Sequence, residues 1–139
     1  MTSKQFGTDY LLRFDKDELL IETLLKFVKE HGIHPAWVNG LGGALWAEIG
    51  FYHLAQKQYS FKRIDKDLEV ANITGNITWV NNQPVAHLHV VVADDNFQTY
   101  AGHLKELTVA ATLELRLKTF DEAISRKHDD SGGLDVLDL

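Results

Sequence analysis

The chain has 139 residues, a formal charge of -6 from 20 acidic against 14 basic side chains, and no cysteine. That length suits one domain, residues 1–139, with a core that needs no staples. The missing cysteine excludes disulfides and thiolate metal sites and fits a reducing compartment, so a cytoplasmic location is expected. No apolar run approaches the ~20 residues of a membrane span. The opening Met1–Gly7 also lacks the apolar core of a signal peptide. The acidic balance argues against DNA binding by a single copy, because lysine and arginine neutralising phosphates supply most of such affinity. The densest basic groups, Lys62-Arg63 and Arg126-Lys127-His128, both have acidic neighbours.

In chain order, Asp9–Phe14 reads as a first strand. Asp15 and Glu18 then resemble a capped helix start, and Leu20, Leu24, Phe27 and Val28 recur at helical spacing. Gly32 ends the pattern, so one amphipathic helix is expected over Asp17–His31. Ala36–Asn39 reads as a short strand. Gly40-Leu41-Gly42-Gly43 predicts a tight turn or a close approach to another backbone. It is not a dinucleotide fingerprint, since the third glycine of that motif is absent. Leu45–Leu54 reads as a strand with Gly50 a candidate bulge. Gln58–Ile64, Leu68–Asn72 and Ile77–Val80 follow as strands, with Thr74-Gly75-Asn76 a turn or bulge between the last two.

Pro84 to Leu104 is the richest stretch, with three of the seven histidines. In a strand, alternate side chains share a face, so His87 and His89 point together and Leu88 away. Val90, Val91 and Val92 extend the run, and Asp94-Asp95-Asn96 reads as a turn. A three-residue loop, Asp94–Asn96 or Asp95–Phe97, sets His103 opposite His87 or His89. A two-residue turn on Asp95-Asn96 sets it opposite Leu88, facing the other way. Three converging imidazoles are a first shell for zinc or another late first-row metal, with one position left for water or substrate. The plainer alternative is hydrogen-bonded histidines packed beside the valines. Beyond them, Thr108–Leu117 alternates as a half-buried strand and Asp121–Lys127 reads as a brief helix. Asp129–Gly133 forms a loop, and Leu134–Leu139 is an apolar tail. About seven strands and one long N-terminal helix predict a compact α+β domain with a mostly antiparallel twisted sheet.

Several of these segments together resemble the plants and prokaryotes conserved (PPC) domain. They are His31-Gly32-Ile33, Asn39–Gly42, Ile49–Tyr52, Leu68-Glu69-Val70, Thr74–Ile77, His87–Val90, Gly102-His103-Leu104 and Val109–Glu114. Ala101 departs from the pattern where the family often has a second glycine, and Leu107 where a glycine is frequent. The resemblance implies a homotrimer. It also implies that His87, His89 and His103 correspond to a histidine cluster that looks like a metal site in some prokaryotic members. In plants the domain accompanies an Arg-Gly-Arg-Pro type element that enters the minor groove, and this chain has none.

Three functions follow as expectations. The first is a homotrimeric interaction module with a divalent zinc, iron or nickel ion at the histidines. The second is a metal-dependent enzyme acting on a small molecule, with Glu48 or Glu69 as base. The third is a DNA-binding regulator, the label often given to prokaryotic relatives.

Overall fold

A computed structural model describes all of Met1–Leu139. Nine strands and one helix follow one another as β1 (Thr2–Phe6), β2 (Asp9–Asp15), α1 (Leu20–Glu30), β3 (Ala36–His53) and β4 (Gln58–Ile64). They continue as β5 (Leu68–Val80), β6 (Gln83–Ala93), β7 (Thr99–Thr119), β8 (Ser125–Asp129) and β9 (Leu134–Asp138). Seven strands form one antiparallel sheet in the order β1-β2-β7-β6-β5-β3-β4, and β7 also pairs with β3. Pairing therefore runs from β3 to β5, β6 and β7 and back to β3. These four long strands close on themselves like a small barrel, which leaves few free edges. Strands hold 67 % of the residues and the helix 8 %, so the expected α+β class with a long helix is wrong. The domain is mostly antiparallel β.

The expected helix keeps its apolar stripe but loses its first turn. Leu20, Leu24, Phe27 and Val28 are buried against the sheet, as their spacing dictates. Asp17 takes a left-handed φ of 70°. Its amide donates to the Val109 carbonyl at 2.9 Å, and the Val109 amide donates to the Glu18 carbonyl at 3.0 Å. Residues 17–19 thus join β7, and the helix begins at Leu20. Glu18 does reach back to the Asp15 amide at 2.7 Å, but the cap on the helix comes from far away. Glu106 on β7 accepts from the amides of Ile21 at 2.7 Å and Glu22 at 3.1 Å. A carboxylate at a helix N-terminus satisfies free amides and complements the dipole.

The glycine-rich segment is no turn. β3 runs straight through it, with one irregularity against β5 between Gly40 and Gly42. A Cβ on Gly40 would overlap the Glu114 carbonyl and the Leu115 side chain, so the glycine permits the close approach that the sequence offered as the other option. Gly50 is not a bulge, since the register shift against β7 falls between Glu48 and Ile49. Thr74–Asn76 lies within β5 rather than in a turn. The short helix expected over Asp121–Lys127 is also absent. Ser125–Asp129 pairs with Leu134–Asp138 in a terminal hairpin. The core is one buried cluster that includes Leu12, Phe14, Val38, Ile73, Leu88, Val90, Leu107 and Leu115.

Candidate metal centre

Alternation along β6 buries Leu88 and Val90 and turns His87 and His89 to the outer face of the sheet. Of the registers open to the sequence, β6 and β7 adopt the one with His89 opposite His103. The Asp94 amide donates to the Gln98 carbonyl at 3.1 Å, which leaves Asp95–Phe97 as the loop. Phe97 there has a left-handed φ of 59°. Asp94 holds this turn. Its Oδ1 accepts from the amides of Asn96 and Gln98, both at 3.0 Å, and its Oδ2 from Lys66 Nζ at 2.7 Å. The Lys66 ammonium, followed by those amides, holds the Asp94 carboxyl below the usual carboxylate range.

The three histidines converge. Ring centroids are 5.4 Å apart for His87 and His89, 5.5 Å for His87 and His103, and 6.0 Å for His89 and His103. One nitrogen from each ring lies within 4.8 Å of the others. Nitrogens bound at roughly 2.1 Å to one zinc ion stand no more than about 4 Å apart, so small side-chain rotations close the set. Nδ1 of His103 is buried with no hydrogen-bond partner. An orphaned buried polar atom costs about 1–3 kcal/mol, and a metal taking that lone pair removes the cost. Burial, then the neighbouring His87 and His89, pushes the His103 imidazole down from 6.5 to about 4. Burial also lowers His87, helped by the Arg126 charge and His89. Neutral imidazole is the form that ligates metal, and burial favours it at His87 and His103, so the three converging rings fit a transition-metal ion.

Neighbouring strands frame the cluster. β3 sets Gly50 opposite His103, and β4 sets Phe61 opposite Gly50. A Cβ at Gly50 would come within 2.7 Å of the Phe61 ring. The Tyr59 ring lies 4.9 Å from that of His103. On the other side, β5 sets Asn76 opposite His87. Arg126 of β8 reaches across this face, its Nη2 donating to Asn76 Oδ1 at 2.7 Å and its Nε to Thr78 Oγ1 at 3.0 Å. The turn of the β8–β9 hairpin is fastened by the Tyr52 hydroxyl, which donates to the Gly132 carbonyl at 2.8 Å.

The acids expected as bases stand elsewhere. Glu48 accepts from Lys105 at 3.1 Å, and neither it nor Glu69 belongs to the converging group. Glu69 pairs with Ala93, four residues along β6 from His89, or about 13 Å at the rise of a strand. Sequence reasoning missed Arg126, Asn76 and Tyr59. The signal for Arg126 was present: Asp129–Gly133 separates two alternating runs, the mark of a hairpin.

The sequence matches the model of the Plants and Prokaryotes Conserved (PCC) domain over residues 1–121. The chain belongs to this family. The β8–β9 hairpin, with Arg126, lies beyond the matched residues. Among solved structures, the chain is similar to two proteins each described as a "putative DNA-binding protein". The one from Bacteroides thetaiotaomicron is 29 % identical with a TM-score of 0.94, over 99 % of this chain and 96 % of that one. The one from Ralstonia eutropha JMP134 is 29 % identical with a TM-score of 0.91, over 99 % and 95 %. A metal-containing protein of Archaeoglobus fulgidus is 31 % identical with a TM-score of 0.86, over 98 % and 97 %. No curated protein matches. No helix of the chain is long and apolar enough to cross a membrane.

Proposed function

We propose that this PCC-domain chain is a self-associating module of the cytoplasm in which His87, His89 and His103 hold one divalent transition metal, and that it works as a homotrimer. The observation that carries the metal is the buried, unpartnered Nδ1 of His103 within a set of three converging imidazoles. The likeness to the metal-containing archaeal protein supports it. Zinc, iron and nickel all suit imidazole nitrogen, and a three-ligand site leaves a position for water or a substrate oxygen.

Self-association rests on the outer face. Asn39 pairs with Arg116, and Arg116 with Leu11, so Trp37, Leu41 and Leu11 share one side of β3, β7 and β2. All three are exposed. Trp37 also pairs with Asn76, and Asn76 with His87, so this face continues into the histidine face. Large exposed apolar side chains sharing one sheet face are of the kind found at association surfaces. The name carried by the bacterial relatives raises DNA as a partner. A net charge of -6 without a basic run opposes it for a single chain, and no mobility shift is expected at low ionic strength.

A catalytic reading has one observation in its favour, the open coordination position, where a bound metal would supply Lewis-acid activation of water or a carbonyl. The absence of a carboxylate base at the cluster makes binding the simpler role.

The test is zinc titration of metal-stripped, tag-free protein by calorimetry, with the mass in solution measured by light scattering. One ion per chain, lost in His103→Ala, and a mass of three chains are expected. No heat of binding would refute the metal, and a monomer would refute the assembly.

A further inference from the structure

Arg126 is a half-buried cation without an anionic partner in contact. Its three hydrogen bonds go to neutral acceptors, Asn76 Oδ1 at 2.7 Å, Thr78 Oγ1 at 3.0 Å and the Asp135 carbonyl at 2.8 Å. The Asp135 carboxylate, whose charge is felt at Arg126, makes its contact with His128 Nδ1 at 2.9 Å and not with the guanidinium. Asn76 and Thr78 are both buried, so the guanidinium is fixed in place. A guanidinium has five N–H donors in a planar fork, and three are used, which leaves one on each terminal nitrogen. Two such donors match the two oxygens of a carboxylate.

The place of this fork matters. Asn76, which holds Nη2, is the cross-strand partner of His87, and the charge of Arg126 is felt at the His87 ring. Taking a cation partly out of water without a contacting anion is costly, and a bound anion would offset that cost. We infer that the face between Arg126 and the three histidines binds a small carboxylate. The guanidinium fork holds one carboxylate, and a second oxygen of the ligand takes the open position of the metal. This assignment rests on the metal reading given above. It names the ligand class of that site: a small organic acid with two oxygen-bearing ends, such as a dicarboxylate or a hydroxy or keto acid.

The probe is malonate, titrated into zinc-loaded, tag-free protein whose zinc content is first measured. The Arg126 Nε–H resonance of the wild-type protein is followed by NMR, and affinity is compared with Arg126→Gln and Arg126→Lys by calorimetry. The expected result is a shift of that resonance with saturable binding, and affinity about tenfold or more weaker in Arg126→Gln, consistent with loss of a charge-assisted fork. Arg126→Lys keeps the charge without the fork and falls between the two. Zinc at one ion per chain with an unmoved Arg126 signal, or with equal affinity in Arg126→Gln, overturns the carboxylate assignment and leaves the metal standing. Protein that takes up no zinc overturns the metal reading itself, and the assignment with it. The wild-type resonance keeps the test valid should Arg126→Gln loosen the terminal hairpin.

Discussion

Asp94 Oδ1 accepts from the Gln98 amide at 3.0 Å, and the same oxygen accepts from Asn96 at 3.0 Å. These bonds favour a loop over Asp95–Phe97 against its neighbours in register. A slip of one residue at this turn would set His103 beside Leu88 and turn it away from the other two rings. The chemistry of the outer face thus depends on a carboxylate that touches none of the histidines.

Replacing Asp94 by alanine is therefore expected to lower both thermal stability and metal affinity, the latter by about tenfold or more, as for other groups that orient ligands. Calorimetric zinc titration beside a melting curve checks this. Because the Asp94 carboxyl is held below its ordinary value by Lys66, its contribution is present above the unfolded carboxyl pKa. That contribution fades as pH falls through the lower, folded value. Asp94→Asn should accordingly be less acid-sensitive than the wild type over this range, and equal sensitivity would contradict the role given to Asp94.

Gly75 pairs with Leu88, and a Cβ there would overlap the His87 carbonyl oxygen and come within 2.9 Å of the Leu88 Cα. Gly75→Ala is expected to push β6 away from β5 and cost roughly 1–3 kcal/mol, as overpacking does. Metal content should fall with it, because His87 rides on the displaced backbone. Denaturant unfolding and elemental analysis of the same sample read both effects. A variant with wild-type stability would mean that the two strands can part without cost.

His103→Phe separates packing from ligation. The phenyl ring can keep the contact with Tyr59, which lies 4.9 Å from the imidazole, and it removes the orphaned Nδ1. Without metal this variant should be as stable as the wild type or more so, by up to about 1–3 kcal/mol. Saturating zinc should raise the melting temperature of the wild type alone. A rise in His103→Phe as well would place the ion elsewhere.

The metal-free wild type has a further signature in acid. The folded imidazole of His103 titrates near 4 rather than 6.5, so the unfolded chain takes up the proton first as pH falls. Stability attributable to this group is intact above about 6.5, declines below it, and is fully lost under about 4. The wild type should lose more stability than His103→Phe across that window in denaturant titrations at successive pH values. Parallel curves would show that His103 is not shielded in the fold.

Local pattern predicted what local forces decide. The stripe of Leu20, Leu24, Phe27 and Val28 and the shared face of His87 and His89 follow from the periods of helix and strand. Contacts made far along the chain were not legible. The helix lost its first turn to hydrogen bonds with Val109 and gained its cap from Glu106. β3 passed through its glycines because β7 needed the space. The register of His103 was open among three choices until the bonds of Asp94 selected one. Arg126 was hidden for another reason: Asp121–Lys127 reads as a brief helix and Asp129–Gly133 as a loop, while the pairing of Ser125–Asp129 with Leu134–Asp138 makes that loop the turn of a hairpin.

The most direct measurement is the metal content of tag-free protein by elemental analysis, beside a His87→Ala, His89→Ala double variant. The account predicts close to one zinc, iron or nickel ion per chain in the wild type after metal is offered, and almost none in the variant. Equal metal in both, or none in either, would contradict it and return the three histidines to packing on the sheet face.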